Sequence, residues 1–140
     1  MGSGFIAVHM IWGAANAGSA VAAYNRLAAL ENHPVLAELL KRIAKQESRH
    51  VAFYATQARE RLEKSKKAQV FARFALKNFW GPVGSTIMSD EEVKHVMGHI
   101  MGGPDGRKEA AKIDAHIAKM PGLSGLTIVQ DSLDARGIAA

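Results

Sequence analysis

The sequence predicts an all-α bundle of two long antiparallel helices followed by about three shorter ones. Over residues 34–63, apolar side chains recur at helical spacing. At about 100° per residue, Leu36, Leu40, Ile43, Val51, Tyr54 and Ala58 fall within roughly 80° of one another. Breaks come as glycine and proline clusters at Gly81-Pro82-Val83-Gly84, Gly102-Gly103-Pro104-Asp105-Gly106 and Pro121-Gly122-Leu123-Ser124-Gly125. No stretch alternates convincingly between polar and apolar residues, so a sheet has no support.

The first helix is expected from about Phe5 to Leu30, with Glu31-Asn32-His33 as its exit. The first 25 residues carry no charge, which raises the question of a signal peptide or a membrane span. A signal peptide would place basic residues ahead of its apolar run, and a span would contain more Leu, Ile and Val. Small residues such as Gly13, Ala17 and Ala20 fit a helix packed closely inside a bundle better. Pro34 suits a first helical turn, and the second helix runs to about Leu62 or Glu63. A third covers about Lys66 to Trp80, and Ser89-Asp90-Glu91-Glu92 reads as an N-cap with an acidic first turn opening a fourth. The fifth is expected from about Arg107 to Met120. Beyond it lies a tail that is strand-like at Leu126 to Val129. One domain, 1–140, therefore divides into a helical hairpin (1–63), shorter helices (64–120) and a tail (121–140).

At 140 residues the chain is long enough for a core but short for a complete four-helix bundle with additional segments, so a partner chain is expected to cover part of it. Apolar residues make up 48% of the chain, which argues against disorder. The absence of cysteine excludes disulfides, zinc-thiolate sites, iron-sulfur clusters and cysteine nucleophiles, and a cytoplasmic location is expected.

Glu47-Ser48-Arg49-His50 is the most informative stretch. Its Glu-x-x-His spacing sits on or beside the apolar arc of the second helix, where an unpartnered charge is costly. An i, i+3 pair presents a carboxylate oxygen and an imidazole nitrogen side by side, which is how helical bundles ligate iron or manganese. A buried hydrogen-bonded pair without metal is the competing reading. Glu92, His95 and His99 repeat the spacing but face away from Val93, Val96, Met97, Ile100 and Met101, and they read as a solvated face. A short turn makes the first two helices antiparallel neighbours, which sets Glu47 near the level of Ser19 and His50 near that of Asn16. Residues 1–30 contain no acidic side chain to bridge two metal ions at that level.

Arg26-Leu27-Ala28, Leu36-Ala37, Ile43-Ala44 and Gln46-Glu47-Ser48-Arg49-His50 with Tyr54 resemble the C-terminal half of a ferritin-like di-iron carboxylate protein, closest to the acyl-carrier-protein desaturase branch. The similarity covers about residues 5–62. It implies a partial ferritin-like bundle in which the first two helices stand for the third and fourth metal-binding helices. Glu47 and His50 are then the metal ligands, with iron or manganese as cofactor. The chain departs from that pattern in lacking two metal-binding helices, and Ala14 or Ala17 stands where the third helix would carry its single glutamate. His9, Asn16 and Tyr54 are the available accessory residues, His9 reading otherwise as a core histidine.

The charge of +5 is concentrated on Lys41, Arg42, Lys45 and Arg49, and again from Arg59 to Lys77. These residues read as a solvated surface, or as a docking face for an acidic protein such as the acyl carrier protein that the resemblance implies. Nucleic acid and membrane are weaker readings, and Phe71, Phe74, Phe79 and Trp80 on the basic helix are expected in the core. The expected function is a homodimeric or larger helical-bundle protein with a reduced or vestigial di-iron-type site and weak or no oxidoreductase activity. The alternatives are a non-catalytic scaffold or partner-binding subunit with no cofactor, and a fragment of a longer di-iron oxidase or desaturase.

Overall fold

The computed structural model describes residues 2–140 and, within them, six helices and no strand. In chain order these are α1 (Ser3–Leu30), α2 (Pro34–Lys64), α3 (Lys66–Phe79), α4 (Asp90–Met101), α5 (Gly103–Ala118) and α6 (Ile128–Ala135). The all-helical expectation holds, and the bounds of the long hairpin lie within two residues of those read from the sequence.

α1 is the central helix. It packs along α2 and also touches α3, α4 and α5. Its mostly small side chains make that possible, since Ala7, Ala14, Ala15, Ala17 and Ala22 are buried against helices on several sides. By length and composition Gly4–Leu30 could also cross a membrane, a property that central helices of soluble bundles share. The core gathers where the short helices close over one end of the hairpin, with Ile11, Leu62, Leu76, Met101, Leu123, Val129 and Leu133 fully enclosed.

Two expectations are corrected. The tail is helical over Ile128–Ala135, where a strand-like segment at 126–129 was expected. Leu126, Val129 and Leu133 recur at helical spacing and all three are buried. The carboxylate of Asp114 in α5 accepts the Val129 and Gln130 backbone N–H groups at 2.9 and 3.0 Å, and so caps α6 from outside the helix. α5 begins at Gly103 rather than near Arg107, because Pro104 occupies the first turn, where a missing N–H costs nothing. α4 opens with a full capping box: Ser89 Oγ accepts the Glu92 N–H while the Glu92 carboxylate accepts the Ser89 N–H at 2.8 Å. The backbone hydrogen bond from Ser89, then that from its hydroxyl, hold the Glu92 carboxyl below the usual carboxylate range. Glu92, His95 and His99 are all exposed, as the sequence implied.

α3 overturns a third expectation. Ala68, Ala72, Ala75 and Leu76 face inward, whereas Phe71, Phe74 and Phe79 are exposed and only Trp80 is half-buried. The narrow space beside α1 admits alanines and excludes phenyl rings. α3 is fixed to the segment after α5 by Arg73, which donates to the carbonyls of Gly122 and Ser124 at 3.3 and 2.8 Å. Gln69 is buried at the same junction and donates to the Leu62 carbonyl at 2.8 Å, satisfying one of the free carbonyls at the end of α2.

Candidate functional site

Glu47 and His50 stand side by side on α2, with Nδ1 of His50 3.1 Å from Oε2 of Glu47. They are not interior groups: the side chain of Glu47 is 27% exposed and that of His50 53%. Helix phasing gives the reason. The residues of α2 that are fully packed are Ala44, Ala58 and Leu62. The centre of that buried line lies about 50° around the helix from Glu47 and about 110° from His50. The apolar arc seen in the sequence is thus wider than the strip that α1 and its neighbours cover, and the pair sits on the uncovered part.

An open depression of about 380 Å³ lies over this pair between α1 and α2, lined by His9, Trp12, Gly13, Asn16, Ala17, Ala20, Glu47, His50, Tyr54 and Val83. It brings together the principal pair and the three accessory residues read from the sequence. His9 is exposed rather than a core histidine. The Asn16 side-chain oxygen accepts a hydrogen bond from the Trp80 indole N–H at 3.1 Å, so its role is to hold the end of α3 against α1. Nothing in the spacing of the sequence could have paired Asn16 with Trp80. Lys41, Arg42, Lys45 and Arg49 form an exposed stripe on the opposite side of α2, with Arg42 held at 2.8 Å by Glu38 one turn away. That hydrogen bond and the guanidinium charge keep the Glu38 carboxyl below its ordinary value.

Tyr54 lies against the backbone of Gly13. A Cβ on Gly13 would stand 2.6 Å from Cδ1 of the ring, so the close approach of the two helices depends on glycine at this position. The antiparallel register read from the sequence is thereby met to within a residue. Gly13→Ala is expected to destabilise the protein by about 1 kcal/mol net. Overpacking of about 1–3 kcal/mol is partly offset by the roughly 1 kcal/mol helix advantage of alanine. Thermal melting checks this, and an unchanged midpoint would mean that the Tyr54 ring swings into solvent without cost.

Two donors 3.1 Å apart match the bite of a chelate, because ligands at about 2.1 Å from an ion and near a right angle to one another are separated by about 3 Å. The same distance is an ordinary hydrogen bond between the two groups. Among the described residues no three His, Cys, Asp or Glu side chains come close enough to hold an ion together, so His9 lines the depression outside the reach of the pair. The arrangement can offer one carboxylate and one imidazole per chain. It cannot form a dinuclear centre with bridging carboxylates, since α1 has none to contribute. No protein-family model, curated protein or solved structure matches the chain.

Proposed function

We propose that the chain is a self-associating, ferritin-like helical half-bundle that binds a single iron or manganese ion through Glu47 and His50, with little or no oxidoreductase turnover. One observation carries this reading: His50 lies within, and Glu47 beside, an apolar stripe that the chain leaves uncovered. Val35, Leu36, Leu39 and Phe53 are exposed on α2 and lie within roughly 100° of one another, on the side that also presents His50. Between Val35 and Phe53 no lysine or arginine falls within that arc; Arg61 and Lys64 enter it only in the last turn of α2. A second copy related by a two-fold axis would bury the stripe against its equivalent and bring a second carboxylate and imidazole to the first pair. Carboxylate and imidazole are the donor types that suit ferrous or manganous ions. Such an ion, when bound, would supply Lewis acidity or one-electron chemistry. Glu47 and His50 would hold it, and Tyr54 and the Asn16–Trp80 contact would shape the space around it.

A second reading, a non-catalytic scaffold with no cofactor, is favoured by the hydrogen bond that already satisfies Glu47 and His50 in each other. Elemental analysis after anaerobic Fe(II) or Mn(II) loading and desalting separates the two, with solution mass measured on the same samples. The parent is expected to retain at least one ion per two chains as a dimer. Glu47→Ala and His50→Ala should each lose the ion, and Leu39→Glu should lose both dimer and ion. Trace metal in the parent, equal to that in the variants, would leave the scaffold reading.

A further inference from the structure

α3 is built inside out. Its protein-facing side is alanine and leucine, and its large apolar side chains face solvent: Val70 is 70% exposed, Phe71 49%, Phe74 55% and Phe79 66%. Such an exposed cluster calls for an occupant. The rings of Phe74 and Phe79 meet edge to face at 5.7 Å at the end of the helix, where Phe79 leaves it about 140° around from Phe74. Lys66, Lys67, Val70, Phe71 and Phe74 border a shallow, almost wholly apolar surface. The patch continues onto α1, where Phe5 is 55% exposed and Gly4 lies beside the Phe71 ring.

Charge selects the occupant. Lys66, Lys67 and Lys77 are exposed around the cluster, and α3 contains no acidic residue. At about 100° per residue Lys67 and Lys77 lie within roughly 60° of Val70, one on each side. A second copy of this face would set lysines against lysines. A helix of an acidic protein would need a deep groove to lie in, whereas the depression beside Val70, Phe71 and Phe74 is shallow and open. Phenyl rings that can enter the boundary between headgroups and acyl chains, flanked by lysines whose stems reach back to lipid phosphates and carboxylates, fit a bilayer.

We propose that the outer face of α3, together with Phe5, docks the protein on an anionic lipid bilayer. The helix lies in the plane of the interface with Val70, Phe71 and Phe74 inserted, while the stems of Lys66, Lys67 and Lys77, which stand among them, reach back to headgroup level. The protein lies on the membrane and does not span it, because α1 keeps its place in the bundle. The face is separate from the Glu47 and His50 depression, so docking does not depend on metal.

Sedimentation of the full chain with large vesicles of phosphatidylcholine, alone or mixed with phosphatidylserine, tests the proposal. Partition onto the mixed vesicles is expected to exceed that onto phosphatidylcholine by about tenfold or more, and to fall as salt is raised. Phe71→Ser with Phe74→Ser, and separately Lys66→Glu with Lys67→Glu, should each reduce it by about tenfold or more while leaving the melting temperature near that of the parent, since all four side chains are exposed. Glu47→Ala should bind as the parent does. No partition, or equal partition onto both lipids, would overturn the proposal. So would full binding by the phenylalanine variant, which would reduce the contact to charge alone. A dimer that dissociates in the phenylalanine variant, without lipid binding by the parent, would assign the face to a second copy instead.

Discussion

Alanine at Gly106 is expected to lower the thermal midpoint by about 10 °C, corresponding to about 3 kcal/mol for a chain of this length. A Cβ there would stand 2.2 Å from the Met101 carbonyl carbon and 2.4 Å from its oxygen. Met101 is the last residue of α4 and is itself buried, and Gly102 alone separates it from α5. A side chain in the way could turn aside, but a peptide group cannot, so α4 would have to lift from α5. The helix preference of alanine, at most about 1 kcal/mol, is too small to compensate. Gly98 in α4 is the control, because a Cβ there meets nothing within 4 Å, and alanine at that position should raise the midpoint slightly. Melting followed by circular dichroism reads both, and equal midpoints for the two variants would show that the α4–α5 junction yields easily.

The second large effect is expected at Asp114. Its carboxylate accepts three hydrogen bonds, from the backbone N–H groups of Val129 and Gln130 and from the Gln130 side-chain amide at 3.0 Å. Asp114→Ala strands two backbone donors at the start of α6, and a loss of about 3 kcal/mol is expected from unsatisfied groups of about 1–3 kcal/mol each. Burial pushes the Asp114 carboxyl above its ordinary value, against the pull of its three donors and with a smaller upward push from Asp131. With the folded pKa above the unfolded one, the native state binds the extra proton. The resulting stability is fully present below the unfolded value of 3.8 and is lost as pH rises through the folded one. The lowered carboxyls of Glu38 and Glu92 act in the opposite sense, so the effect of Asp114 must be read as a difference. The melting-temperature advantage of the parent over Asp114→Asn should be larger at acid pH than at neutral pH. A difference that does not vary with pH would mean that the folded pKa is not raised.

The parts of the fold written in local chemistry were legible. The hairpin followed from apolar spacing and from Pro34, and the start of α4 from Ser89 and its acidic first turn. Glu47 and His50 were legible as a pair because i, i+3 spacing alone brings them together. Exposure was not legible, since it depends on which part of the apolar arc of α2 the short helices cover. The same holds for Phe71, Phe74 and Phe79: hydrophobicity says that a phenyl ring prefers burial, but only the tight seam against α1 shows that no room exists for it. α6 was missed although Thr127-Ile128-Val129-Gln130 has the spacing of a capping box; in the structure Thr127 makes no cap, and Asp114, fifteen residues upstream of Val129, takes that place.

The buried positions of Val129, Leu133 and Ile138 bear on how the protein is made. Contacts within the α1–α2 hairpin are formed between chain neighbours and can assemble as soon as residue 64 has cleared the ribosome. The cavity that these three side chains fill stays open until the segment containing them has also emerged. During that interval the nascent chain displays Leu123, Leu126 and the inner surface of α5 to its surroundings, so its vulnerability to misassembly is concentrated between the emergence of α5 and that of α6.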